Sequence, residues 1–198
     1  MAKRSPNARC RRAKGFSMIE VLIAMVVICI GVLGMAALQG KTLRYTNEAG
    51  NRNAAAMLAA DLIEMMRSNR GQLIGSDGKL ATDSAYFKAA GNDFPTTRTS
   101  NCRNANGCTP SQLAEDQLAG WVQQVRHTLP IGDDDELLKN QYVICATQNP
   151  TAATPCSQTG SAILIQLAWL GKDACPSGQT CLSLDADHRE YYRISFQP

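Results

Sequence analysis

The most apolar part of the chain lies near its N-terminus. From Val21 to Leu38 there are 18 consecutive residues without a charge, and the apolar run continues from Phe16 to Ile19 on the other side of Glu20. A helix of this length is long enough to cross a bilayer. The pattern therefore predicts one membrane-spanning helix that carries an acidic residue close to its start.

The same helix is predicted to continue beyond the membrane. No proline occurs between Lys41 and Arg70, and this segment is rich in alanine, leucine and methionine, which favour helix. Several of its apolar residues fall on one helical face: Leu58, Leu62, Met65 and Met66. We expect one helix from Phe16 to about Asn69, whose first half suits lipid and whose second half packs on a globular core.

A second amphipathic helix is predicted after the segment 71–108. Thr109 is suited to cap it, Pro110 fits its first turn, and Gln112 stands where the partner of a capping box belongs. Pro130 ends the pattern. The apolar stripe of this helix consists of Leu118, Trp121, Val122, Val125 and Leu129.

Three strands are predicted in the last third of the chain, at residues 141–147, 161–170 and 191–196. Loops rather than helices connect these strands, which indicates a small antiparallel sheet. The predicted fold class is therefore α+β, with the long N-terminal helix packed on the sheet. Residues 71–108 are rich in turn-forming residue types and are predicted to form a loop with one short helix at Ser84–Ala90.

The positive charge of the chain is confined to its first 15 residues. The net charge is +3, but six of the 20 basic residues and none of the acidic residues lie there, which leaves 14 basic against 17 acidic residues. An acidic body gives no reason to expect a nucleic acid as partner. A basic leader before an apolar run keeps the leader in the cytoplasm and sends the rest of the chain across the membrane.

Six of the eight cysteines lie in the second half of the chain. An even number behind a membrane segment favours disulfides over zinc, because no C-x-x-C spacing occurs and neither histidine has the spacing of a ligand. Six cysteines permit 15 pairings, and proximity along the chain favours three short loops. The expected bonds are Cys102–Cys108, Cys145–Cys156 and Cys175–Cys181.

The chain shows no catalytic constellation. The stretch "GKT" at Gly40–Thr42 lacks the upstream glycine of a phosphate-binding loop and follows a membrane helix instead of a strand. The acidic stretch Gly132–Glu136 lacks the alternating oxygen ligands of a calcium loop. We therefore expect neither an enzyme nor a binding site for a metal or a cofactor.

Three hypotheses for the processing of the apolar run differ in how they account for Glu20. A secretory signal cut near Gly34 and Ala36 would have an unusually long apolar region with an acid in it. An uncut anchor leaves the acid unexplained. Cleavage between Gly15 and Phe16 creates an amine about one helical turn before Glu20. When such helices pack side by side, the amine of one and the carboxylate of the next can pair, which removes two desolvation penalties and defines a register.

The segment from Lys14 to Gln39 resembles the class III leader and N-terminal helix of type IV pilins and type II secretion pseudopilins. Its run "GFSMIE", at positions 15–20, agrees with the family pattern at every position. The resemblance implies that a prepilin peptidase cuts after Gly15 and N-methylates Phe16. It also implies that Glu20 serves methylation and subunit docking.

Further similarity points to the PilV-type minor pilins, or type IV pilus modification proteins. The stretch "GVLGMAALQ", the late strand ending in Trp169 and the closing "YYRISFQP" are similar to that family. So is a T-P-x-Q-L-A…D…W segment followed by Leu-Pro-x-Gly, matched by Thr109, Pro110, Gln112, Leu113, Ala114, Asp116, Trp121, Leu129, Pro130 and Gly132. The resemblance implies a structural protein of the inner membrane that primes or caps a pilus with other minor pilins and the major pilin.

The implied organisation has four parts. Residues 1–15 are the leader, 16–40 the membrane and polymerisation helix, 41–70 its amphipathic continuation, and 71–198 a periplasmic or extracellular head. Two alternatives stay open. A minor pseudopilin of a type II secretion system shares every N-terminal feature, and a tip adhesin or other binding module would use the same anchor.

The cleavage site is directly testable. Mass spectrometry of the protein purified from its own host should show a mature chain that begins with N-methylated Phe16, because only this cut supplies the amine that pairs with Glu20. An intact leader beginning at Met1, or a cut after Ala36, would contradict the prediction.

Overall fold

A computed structural model of the chain describes residue 15 and residues 17–105, 107–132, 135–152, 156–157, 159–171 and 189–198. The regular elements are the helices α1 (Met18–Ser68), α2 (Pro110–Thr128) and α3 (Glu136–Gln141), and the strands β1 (Val143–Thr147), β2 (Ala162–Leu170) and β3 (Arg189–Phe196). Two short 3-10 helices, Arg70–Gln72 and Ser100–Arg103, precede α2. The chain divides into two compact units, Met1–Arg44 and Tyr45–Pro198.

The predicted long helix is present as α1, which has 51 residues. Its buried residues all lie in the second half and recur at intervals of three and four: Ala55, Leu58, Ala59, Leu62, Ile63 and Met66. This is the spacing of a helix with one face on a core. The prediction that the second half packs against a globular core is therefore confirmed.

The sheet has the strand order β1-β2-β3, and both pairs are antiparallel. Central Ile165 lies opposite Ile144 on one side and Ile194 on the other. Together with α1 this confirms the α+β fold class. β2 differs from the expected one-sided strand, because Leu164 and Ala168, which point to the other face, are completely buried as well.

α2 begins with the predicted capping box. The Gln112 amide donates to Thr109 Oγ1 at 3.3 Å, and the Thr109 amide donates to Gln112 Oε1 at 3.0 Å. These bonds satisfy two of the backbone donors that a helix start leaves unpaired. The predicted apolar stripe, from Leu118 to Leu129, is buried.

Trp121 joins α2 to α1 at the centre of the core. Its indole nitrogen donates to the carbonyl oxygen of Leu58 at 2.8 Å, and its ring contacts Phe94 and Tyr142 with centroids 6.0 and 6.3 Å apart. The Tyr142 hydroxyl donates to the carbonyl oxygen of Ala168 in β2 at 2.8 Å. Two aromatic side chains thus connect both long helices and the sheet.

The short helix predicted at Ser84–Ala90 was wrong. The segment forms turns, and Lys88 makes an antiparallel bridge to Ile144, with the two N–H···O distances at 2.8 and 2.9 Å. The alanines of this segment favour helix, but pairing with β1 uses the backbone groups that a helix would need. The helix α3 was not predicted, because six residues are too few to show a helical period.

Gly160 lies unusually close to the backbone of Thr147, at the end of β1. A Cβ atom added to Gly160 would lie 2.3 Å from the carbonyl oxygen of Thr147. The neighbour is main chain, which cannot rotate away as a side chain does. The connection between β1 and β2 therefore depends on glycine at this position.

Gly160→Ala should lower the free energy of unfolding by about 1–3 kcal/mol, the usual effect of forcing extra atoms into a closed space. Thermal unfolding of the purified full-length protein in detergent measures this as a lower midpoint. Gly71→Ala is the matched control, because a Cβ there meets nothing within 4 Å. Equal midpoints for the two variants would contradict the prediction.

Candidate functional site

Gly15 precedes α1 and is exposed. A Cβ added to it would meet nothing within 4 Å, and no backbone conformation that demands glycine is found there. Nothing in the described part of the chain therefore requires glycine at position 15. Phe16 lies outside the described residues.

Glu20 lies in the first turn of α1. The carbonyl oxygen of Ser17 accepts hydrogen bonds from the amides of Glu20 and Val21 at 3.0 and 3.3 Å, so the helix begins directly after Ser17. A carboxylate is favoured at this end of a helix because the free amides carry positive partial charge. Glu20 is exposed and has no ion-pair partner among the described residues.

The apolar part of α1 is uncovered in the single chain. Its large side chains are exposed, from Met18 at 88% to Leu38 at 68%. The helix is long and apolar enough to cross a membrane, with a mean hydropathy of 2.9 in its most apolar window and none of that window buried. An apolar surface of this extent needs lipid or other subunits around it.

The structure contains two disulfides, Cys102–Cys108 and Cys145–Cys156. They are two of the three pairings that proximity along the chain favoured. The third predicted pair, Cys175 and Cys181, lies outside the described residues. Cys29 is free and exposed on α1.

Asp116 anchors the segment before α2 to the helix itself. Its side chain is almost fully buried, Arg98 donates to its Oδ2 at 2.9 Å, and Arg103 lies 3.8 Å from its Oδ1. The hydrogen bond from Arg98 is the main cause that lowers the pKa of this carboxyl. Gly120 leaves room for the guanidinium, since a Cβ there would come within 3.0 Å of Arg98 Cζ.

Lys88 is a second buried charge, only 3% exposed. Its ammonium donates to the carbonyl oxygens of Lys139 and Tyr142 at 2.5 and 2.8 Å and lies 5.1 Å from the centre of the Phe94 ring. Burial lowers its pKa to about 8, although the charge of Asp93 acts in the opposite direction. The burial of Asp116 and Lys88 was not predicted, because a lone charged residue in a polar segment is ordinarily exposed.

The unit Tyr45–Pro198 contains two cavities of note. One, of about 440 Å³, lies between residues 93–96 and the helices α2 and α3. The other, of about 560 Å³, lies between residues 70–82, the β1–β2 connection and the chain end at Pro198. No group of three metal-ligating side chains is found in the described part of the chain.

These features define a class of protein. Its members have an apolar N-terminal helix that lipid or other subunits must shield from water, an acidic residue in the first turn of that helix, and an α+β body. Comparison with protein families gives two matches, the prokaryotic N-terminal methylation motif over residues 10–36 and type IV pilin Tt1218 over residues 37–118. The two matches adjoin, and together they span just over half of the chain. No curated protein and no solved structure matches it.

The chain is a type IV pilin with an N-terminal methylation motif. The motif implies processing by a prepilin peptidase and incorporation into a pilus, and the apolar helix suggests membrane anchoring. Type IV pilins are structural proteins, which agrees with the absence of a recognisable catalytic motif in the sequence.

The lowered pKa of Lys88 has a consequence for stability. Between about pH 8 and the ordinary lysine value of 10.5, the unfolded chain binds more protons than the folded chain. The free energy of unfolding therefore rises with pH in this window. Up to pH 9.5 the gain should reach about 2 kcal/mol, since one pH unit corresponds to about 1.4 kcal/mol.

Chemical unfolding of the wild type and of Lys88→Met at about pH 7.5 and 9.5 isolates this contribution. The difference in stability between wild type and variant should move in favour of the wild type as pH rises. Groups that do not interact with Lys88 contribute equally to both proteins and cancel, whereas the coupling of Asp93 and Lys139 to Lys88 is part of the measured difference. A difference that stays constant would show that Lys88 does not titrate in this window.

Proposed function

We propose that the protein is a minor type IV pilin of the PilV type, which takes part in starting or capping a pilus together with other minor pilins. The observation that carries the proposal is the run "GFSMIE" at the start of an apolar helix that the single chain leaves uncovered. The similarity of residues 109–132 to PilV-type proteins supports the minor-pilin role over that of a major subunit. The protein is structural and catalyses nothing.

The proposed topology follows from charge and cysteine chemistry. The basic leader, residues 1–15, stays in the cytoplasm until a prepilin peptidase removes it. Residues 16–40 span the inner membrane, residues 41–70 continue the helix, and the head over residues 71–198 faces the periplasm and later the cell surface. Disulfides in the head are consistent with an oxidising compartment.

Docking into the pilus rests on one charge pair. Cleavage after Gly15 leaves a cationic amine on Phe16, and methylation keeps its charge. Glu20 has no described partner within its own chain, so a neighbouring subunit supplies the counter-charge when the two helices pack in an apolar medium. An isolated charge there is costly, which makes the paired register more stable than its alternatives.

Two other roles predict different observations. A minor pseudopilin of a type II secretion system would co-purify with secretion subunits and be encoded beside them, whereas a minor pilin would co-purify with other minor pilins and the major pilin. A tip adhesin would leave pilus number normal when deleted and abolish attachment. Co-purification from the native host therefore tests the proposal most directly.

Glu20→Ala should leave membrane insertion intact, because it removes a charge from an apolar helix. It should reduce incorporation into sheared pili to a small fraction of the wild-type level, because the amine of Phe16 loses its partner. Immunoblots of membrane and pilus fractions measure both quantities.

Glu64→Ala is the matched control on the same helix, since Glu64 is exposed and, among the described residues, forms an ion pair with Arg67 alone, three residues away. This variant should enter pili normally. Normal incorporation of Glu20→Ala would refute the charge-pair mechanism while leaving the family assignment in place.

A further inference from the structure

The cavity between α2 and α3, here called the α2–α3 cavity, has a volume of about 440 Å³. It lies within the range of small-molecule sites, and the role in pilus assembly does not use it. Residues 93–96 form one wall, α2 forms the second and α3 the third. All three walls belong to the single unit Tyr45–Pro198.

Two ion pairs frame the α2–α3 cavity. Arg126 Nη1 pairs with Asp135 Oδ1 across one side, and Lys139 Nζ lies 3.1 Å from Asp93 Oδ2 on the other. The hydrogen bond from Arg126 lowers the pKa of the Asp135 carboxyl, so both members stay charged at neutral pH. Among the described lining residues, two positive and two negative groups cancel, so these side chains favour neither an anion nor a cation.

The rim nevertheless offers many hydrogen-bonding groups. A guanidinium has five donors and a carboxylate about four acceptor sites, so each ion pair keeps capacity for a ligand. The side-chain amide of Gln123 and the hydroxyl of Thr96 also line the cavity. Both side chains are exposed and have no hydrogen-bonding partner among the described residues. The described part of the rim thus provides both donors and acceptors, and its charges balance.

The floor of the cavity is apolar. Phe94, Val122 and Leu138 lie at its base and belong to the core. A neutral ligand that carries several hydroxyl groups and presents an apolar face of C–H bonds fits both surfaces. A pyranose ring has these properties, and the volume holds one or two such rings.

We infer that the α2–α3 cavity is a binding site for a neutral mono- or disaccharide. A peptide strand is the competing occupant, but a strand added along residues 93–96 would meet Pro95, which has no N–H to donate. Gln123 and Thr96 are the residues that contact the hydroxyl groups of the sugar. The site lies outside the N-terminal segment, so its function is independent of pilus docking.

Full-length protein in detergent micelles is applied to an array of neutral mono- and disaccharides, including glucose, galactose, mannose and N-acetylglucosamine. Saturation-transfer NMR then gives the dissociation constant for the sugar that binds. Gln123→Ala and Thr96→Ala should each weaken binding about tenfold, the loss that corresponds to one hydrogen bond of about 1.4 kcal/mol.

Gln124→Ala and Thr97→Ala are matched controls, because both residues are exposed neighbours of the same type that do not line the cavity. They should change the dissociation constant by less than about twofold. All four variants should keep the wild-type unfolding midpoint. Absence of binding to every sugar on the array, or equal losses in test and control variants, would overturn the inference. So would binding of pilin-derived peptides alone with the same dependence on Gln123.

Discussion

A single carboxylate on an uncovered apolar helix is the constraint on which the rest of the molecule depends. The first half of α1 is not covered by any other described part of its own chain, so it is stable only in lipid or among other helices. In either surrounding Glu20 is costly until an opposite charge meets it. Lipid covers the apolar side chains but offers the acid no counter-charge, whereas in the charge-pair mechanism that we propose the packed helices cover the side chains and also pair the acid. The apolar half of α1 is thus suited both to lipid and to packing among other helices.

The second half of α1 has a different role, because it packs in the core of a small α+β body. The apolar face between Ala55 and Met66 is buried against α2 and the sheet. Trp121 links α2 to α1, because its indole nitrogen donates a hydrogen bond to the main-chain carbonyl oxygen of Leu58. Because this acceptor belongs to the backbone, the bond fixes the position of α2 along the helix independently of the side chain at Leu58. The body is therefore built in a defined register on the second half of α1.

Sequence patterns predicted the elements that are long or locally specified. α1 and α2 have many turns with regular apolar spacing, α2 has a capping box, and β2 and β3 show alternation. Errors occurred where tertiary contacts outweigh local preference: Ser84–Ala90 pairs with β1 instead of forming a helix, and α3 is too short to show a period. Burial of Lys88 and Asp116 depends on partners distant in sequence. Glu20 stood out because its neighbours are all apolar.

The two disulfides of the described chain are both local, since they close separations of six and 11 residues. Neither attaches α1 to the rest of the unit Tyr45–Pro198. A pulling force along α1 is therefore resisted, among the described residues, by non-covalent contacts that act in parallel. These include the buried stripe, the Trp121–Leu58 hydrogen bond and the bond from Asn69 Nδ2 to the carbonyl oxygen of Pro110. Within the described residues, the attachment of α1 to α2 and the sheet therefore depends on packing and hydrogen bonds, not on a covalent link.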